Sequence, residues 1–478
     1  MVNTIMAKLK ILFGEWLPDQ PGLAGNVTDA VNCYPVANGY APILSEVNYS
    51  ADAGQDLLVS FAGKFSGETN LFAAGATQIY KFDSTDQSLD PLTTTGYSTV
   101  ESWDVTQFGP AMILANGQDK LQAYYIGTST YFADLSADAP TAKFVTVVKD
   151  FVVAANVSSE ENKVYWSDIN DETDWTPDPT SQADSQILPD GGDITGLSGG
   201  EYGLIFLERA IYRMTYAGSP LFFQFDAISR TLGCISNGSI AQFENVTYFL
   251  ADDGFYVCDG QSTVPIGAEK VNRWFFSNAI PSNIQTTMSA TVDPVNKLII
   301  WCFDGIFGSK YLLIYSINNK KFSYGITDAA SISYALTPSA TLEQLDQYST
   351  SIDALETPLD SMVWAGGGLL FSGVRGQKII SFSGQKKTAE ISSGDMDSGR
   401  SVLTLARPLV DNGSGSVAVA ARSALDEPTE YTAYVDADSE GRCSLRSAGR
   451  YTRVKVKPSG NWDTVIGVEV EVVTQGIR

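Results

Sequence analysis

From about residue 50 the apolar positions fall in short runs of roughly four to eight residues, each closed by a Gly-, Asn- or Asp-containing turn and answered by a second run. NLFAAGATQIYKFD (70–83), KLQAYYIGTSTYFADL (120–135) and FVTVVKDFVVAANVSSEENKVYWSD (144–168) follow this plan. So do GLIFLERAIYRMTYAG (203–218), VTYFLADDGFYVCDG (246–260) and KLIIWCF…KYLLIYSINNKKFSYG (297–325). Hairpins recurring every roughly 40–50 residues are the pattern of β-propeller blades. The repeat has no Trp-Asp dipeptide or kelch glycine pair at fixed positions, and two stacked sandwiches would give a similar pattern. The expected fold class is all-β: a β-propeller with additional β-domains, including a C-terminal β-sandwich.

The flanks read differently. Ile5, Ala7, Leu9, Ile11 and Phe13 alternate with Met6, Lys8, Lys10 and Leu12, which predicts a strand and not the apolar core of a signal peptide. Residues 340–359 are polar, with Leu342, Leu345, Tyr348 and Ile352 near helical spacing, and suggest a short helix or a surface excursion. AGGGLLFSG (365–373) and IISFSG (379–384) resume strand-turn chemistry, and DMDSGR (395–400) reads as a linker. SVAVAAR (416–422), EYTAYVDA (430–437), RYTRVKVKP (450–458) and IGVEVEVV (466–473) predict four strands of a small sandwich. Were the last two neighbours, Arg453, Lys455 and Lys457 would face Glu469 and Glu471 across the ladder, with valines in the core. The expected divisions are an N-terminal strand and extended segment (1–49), a propeller-like domain (50–334), an insertion with returning strands (335–394) and the sandwich (395–478).

Composition narrows the chemistry. No histidine occurs among the 478 residues, which removes Ser-His-Asp and Cys-His catalysis and histidine-ligated zinc. Five cysteines are scattered singly and are expected to be reduced and buried. No apolar run reaches membrane-spanning length, so a soluble chain is expected. Net charge is −24, yet residues 400–478 hold ten basic and ten acidic residues, leaving 21 of the 31 basic and 45 of the 55 acidic residues in the first 399. That imbalance opposes tight nucleic-acid binding while permitting DNA to slide past without sticking; ordinary solubility would also account for it.

KVYWSDINDETDWTP (163–177) is the best candidate for a site, with Asp168, Asp171, Glu172 and Asp174, and Asp178 just beyond. It superficially resembles the Asp-box turn of sialidase-type propellers, but no glycine occupies its turn and an Asp box is itself structural. A glycosidase needs two carboxylates at defined separation, which spacing along a chain cannot supply. Asp168-x-Asn170-Asp171 and Asp436-x-Asp438-x-Glu440-Gly441 both begin like calcium loops, yet Pro179 and Ser447 stand where the twelfth-position glutamate belongs. Gly-rich LSGGEYG (197–203) and GGG (366–368) lack the Lys-Ser/Thr of a phosphate loop. Arg450-Tyr451-Thr452-Arg453 could touch nucleic acid, but the nearby glutamates favour a paired sheet face. No catalytic, cofactor-binding or metal-binding residues are assigned.

Three stretches together resemble the tail nozzle, or tail hub, proteins of short-tailed bacteriophages, a family linked to stabilising packaged DNA. The first is GEWLPDQPGLAGNVTDAVNCYPVANGYAP (14–42), with its Trp-x-Pro-Asp, Asn-Cys-x-Pro and Gly-Tyr-x-Pro elements. The second comprises VYWSDINDETDWTP (164–177), 188–225 and DDGFYVCDGQSTVPIG (252–267), and the third is the closing segment 441–478. The resemblance covers most of the chain in order, with 330–395 matched least. It implies a non-enzymatic late virion protein, made and assembled in the bacterial cytoplasm, with no cofactor. It further implies a homohexameric ring below the head-to-tail adaptor ring, conducting double-stranded DNA during ejection. Tail fibre, spike or tail-tip needle proteins are further partners on this reading. The alternatives are a receptor- or glycan-binding tail protein and, after it, a polysaccharide-degrading tail enzyme.

Overall fold

In the computed structural model, which describes residues 6–93, 95–336 and 369–474, the recurrent hairpins become antiparallel four-stranded meanders. The fold is all-β, a propeller with additional β-structure built from the chain's two ends. Five consecutive blades begin at Leu57, Asp104, Ala142, Ile194 and Ala241. A sixth meander runs over Ser289–Asp293, Leu298–Asp304, Lys310–Ser316 and Lys321–Thr327, and continues into a larger sheet. The last blade is formed by Ser331–Leu336, Leu369–Arg375 and Lys378–Lys386, with Leu44–Asn48 as its outer strand. Six blades are thus separate four-stranded sheets, and the sixth meander fills the place between the fifth and last of them. The ring closes by borrowing a strand from the N-terminal segment, Ile380 opposite Asn48 and Phe382 opposite Glu46.

Each blade is sandwiched between neighbours, so its inner strands are apolar on both faces. Ala111–Ala115 (AMILA) and Gly203–Leu207 (GLIFL) are buried throughout. Phe61, Phe72, Met112 and Tyr124 fill the seam between the first two blades. Ile43, Ile300, Ile314 and Ile380 fill that between the sixth meander and the last blade, and Leu57, Tyr80, Val374 and Ile379 close the circle. Burying such side chains stabilises by about 1.5–3 kcal/mol each.

The larger sheet continues from Lys321–Thr327 through Val27–Val31 and Glu390–Ser393 into Cys443–Ser459, then Met396–Asp411 and Thr464–Thr474. Ser414–Arg422 packs on the far part of Cys443–Ser459. The valines of these strands, among them Val417, Val419, Val454, Val456, Val468, Val470 and Val472, form one core with Ile11 and Phe13. The strand expected near the N-terminus is Met6–Leu12, and it pairs antiparallel with Thr464–Thr474.

Four expectations are corrected. DMDSGR is not a linker: Asp395 is buried and Met396 opens a sixteen-residue strand, overlooked because Pro408 interrupts its pattern. The segment 430–437 contributes only the short strand Val435–Asp436. The basic and acidic faces near the C-terminus do not meet each other. Lys455 pairs with Glu390 and Arg453 with Asp395, while Glu469 and Glu471 flank Lys8 of the N-terminal strand. The expected boundaries at 49/50 and 394/395 are bridged by hydrogen bonds, since segments 6–12, 27–31, 39–42 and 44–48 all pair with later strands. The predicted excursion 340–359 and the GGG of 366–368 lie outside the described residues.

Candidate functional site

The acidic segment connects Glu160–Trp166 to Asp184–Ile187 on the outer side of the third blade. Four of its five carboxylates are engaged by its own turn. Asp171 Oδ1 accepts from Thr173 N at 2.9 Å and Thr173 Oγ1 at 2.6 Å; Asp174 accepts from Thr176 N; Asp178 accepts from Thr180 and Ser181. Asp168 Oδ1 accepts from Gln182 N across the loop. Three successive Asp-x-Thr triplets thus form side-chain-capped turns, a signal present in the sequence and missed there. The hydroxyl bonds from Thr173 and Thr180, followed by backbone N–H bonds, hold Asp171 and Asp178 below the ordinary carboxylate range. A glycosidase acid requires a raised pKa, the opposite perturbation.

The two tryptophans of this segment serve different seams. Trp166 packs with Phe223 between the third and fourth blades, and its Nε1 donates to Gln182 O at 2.8 Å. Trp175 packs between the second and third blades, its Nε1 donating to Glu172 O. The loop therefore pins its blade to both neighbours.

The other candidates resolve similarly. Asp438 accepts from Glu440 N and Arg442 N, and Arg442 pairs with both carboxylates, which closes a tight turn at Gly441. Among the described residues, no cluster of three metal-ligating side chains occurs. Gly199 is required by packing, since a Cβ there would lie 2.1 Å from Val147 O of the third blade. Arg450 pairs with Asp397, and Arg453 and Arg422 converge on Asp395. All five cysteines are free and buried. No helix among the described residues is long and apolar enough to cross a membrane.

The N-terminal elements form a built constellation of another kind. Trp16 is 1% exposed and packs against Trp274 and Tyr324, with ring centroids 4.9 and 5.0 Å away. Asp19 accepts from Arg273 N and Trp274 N, both at 2.8 Å, capping the helix Asn272–Asn278, whose own N-cap residue Val271 cannot do so. Asn32, in the left-handed region at φ 56°, donates to Thr388 O and accepts from Ile326 N. Gly39 passes Val465 so closely that a Cβ would sit 2.1 Å from its carbonyl oxygen, and Tyr40 donates to Gly14 O. These elements stitch the sixth meander, the helix beside it and the terminal sheet together.

A second feature is the carboxylate that opens the second blade. Asp104 opens the first strand of the second blade, and its carboxylate accepts from Val145 N at 2.9 Å and Val105 N at 3.2 Å. The side chain of Asn237, which precedes the fifth blade, also favours its charged form. Burial pushes the Asp104 carboxyl up to about 6, with the three hydrogen bonds opposing. A raised acid is protonated more readily folded than unfolded, so its contribution to stability rises as pH falls from about 6 towards 4. Asp104→Asn is expected to lack this contribution: wild type should gain about 2 kcal/mol relative to the variant between pH 7 and 4 in denaturant titrations.

No protein-family model matches the chain, and no curated protein matches it. Among solved structures, the chain is similar to the WD40 repeats of RRP9, with a TM-score of 0.40 and 9% identity over 62% of this chain and 88% of that one. U3-55K gives a TM-score of 0.40 and 8% identity over 61% and 88%. The extracellular domain of the one-component system BT4673 from B. thetaiotaomicron gives 0.41 and 10% over 82% and 47%.

Proposed function

We propose that this chain is a structural virion component, a tail nozzle or hub subunit of a short-tailed phage that assembles into a ring conducting double-stranded DNA. The observation carrying this reading is the placement of the Trp-x-Pro-Asp, Asn-Cys-x-Pro and Gly-Tyr-x-Pro elements. The residues by which the chain resembles that family build the joint between propeller and terminal sheet, as a shared architecture would require. On this reading the conduit is enclosed by several copies of the chain. A wall of acidic subunits would repel phosphate and let DNA slide.

Electron microscopy of the purified full-length protein tests the ring. Closed cyclic particles with an opening wider than a duplex are expected; a monomer at every concentration would overturn the reading. Turnover of a polysaccharide abolished by a single carboxylate substitution would favour the enzymatic alternative.

A further inference from the structure

We infer that the chain carries both halves of a head-to-tail contact with a second copy of itself: a basic outer face on the terminal sheet and an acidic outer part of the third blade. The inference deepens the ring reading and takes its setting from it. The first half follows from register. Lys8 lies opposite Glu471 and Lys10 opposite Glu469, and these glutamates lie opposite Leu405 and Arg407 on the next strand. Val468, Val470 and Val472 point into the core with Leu403, Ala406, Cys443 and Leu445, so alternation turns Lys8, Lys10, Arg407 and Arg446 outward.

Glu469 and Glu471 are the carboxylates among them, and Lys8 sits 3.8 and 3.3 Å from them. Among the described residues, no carboxylate lies in ion-pair range of Lys10, Arg407 or Arg446, and Arg407 Nε is buried without a hydrogen-bond acceptor. A chain of net charge −24 therefore presents one sheet face with more cations than anions. Leu12, 61% exposed, adds apolar surface at its end.

The second half is its complement. Residues 164–187 of the third blade contain six carboxylates and no lysine or arginine. Among the described residues, none of these six has a cation in ion-pair range, the nearest such pairs being Lys163 with Glu160 and Arg230 with Asp190 on either side. Asp171, Asp178 and Asp184 are exposed, and Ile187 on the same outer strand is 43% exposed. Nucleic acid is the poorer match to the basic face, because two glutamates lie within it and the rest of the chain repels phosphate. Because the patches are different surfaces of one chain, the contact is heterologous, and it closes into a ring if its rotation closes.

The test is a charge swap in the full-length chain, read by sedimentation velocity over a range of salt. Lys8→Glu with Lys10→Glu, and separately Asp178→Lys with Asp184→Lys, should each weaken self-association by roughly tenfold or more. Combining all four in one chain should restore it, an outcome that misfolding cannot produce; circular dichroism confirms the fold of each variant. If wild type forms rings and neither pair of substitutions weakens them, the inference fails while the ring reading stands. If wild type stays monomeric, both fail. Retention of labelled duplex DNA that is lost in Lys8→Glu/Lys10→Glu while self-association is unchanged would also overturn the inference.

Discussion

Replacing Asp395 with alanine is expected to cost about 3–5 kcal/mol, because it leaves two largely buried arginines without their counter-charge. The Asp395 side chain is 3% exposed, against 12% for Arg422 and 20% for Arg453. Arg453 donates to it twice, at 2.9 and 2.7 Å, and Arg422 Nη2 donates to the same Oδ2. Burial alone would raise the carboxyl's pKa; the hydrogen bonds and charges of Arg453 and Arg422 outweigh it and hold the group below its ordinary value. The sign for pH follows. A depressed carboxylate contributes its stability in full above the unfolded value of about 3.9 and loses it as pH falls through the folded value. The gap between wild type and Asp395→Asn in denaturant midpoints should therefore narrow below about pH 4. Asp397→Ala is the control: its partner Arg450 is 52% exposed, so the loss should stay within about 1 kcal/mol.

The second large effect is at Trp16. Trp16→Ala should destabilise by about 3–5 kcal/mol through the cavity it opens. Two aromatic contacts vanish with it, to Trp274 on the short helix and Tyr324 on the sixth meander. Those partners belong to the propeller side of the joint, so the loss should extend beyond the N-terminal segment. Hydrogen exchange should show faster opening of Val27–Val31 and of the helix Asn272–Asn278 in the variant. Trp16→Phe keeps most of the apolar volume and removes an indole N–H that has no acceptor, so its cost should be much smaller.

The blades were legible because a strand buried on both sides must be apolar throughout and a hairpin must turn on Gly, Asn or Asp. GLIFL declares itself on that ground alone. Long-range pairing was not legible. Nothing in MAKLKIL says that it joins Thr464–Thr474, nor in LSEVN that it completes the last blade, because closure is decided by which edges remain open. Asp395 escaped notice because its two arginines come from different strands. In the acidic segment, spacing contained the answer: an Asp followed two residues later by Thr caps its own turn, and three such triplets engage Asp171, Asp174 and Asp178. The role of Asp19 as a helix cap was invisible, since the helix it serves lies some 250 residues away.

A cryo-EM map of the tail of a particle carrying this chain tests the central claim most directly. The account predicts copies of the propeller arranged around a central passage that holds DNA, with the terminal sheet of one copy near the third blade of the next. A map placing the chain on a peripheral fibre, or showing no copy of it in the particle, would contradict the account.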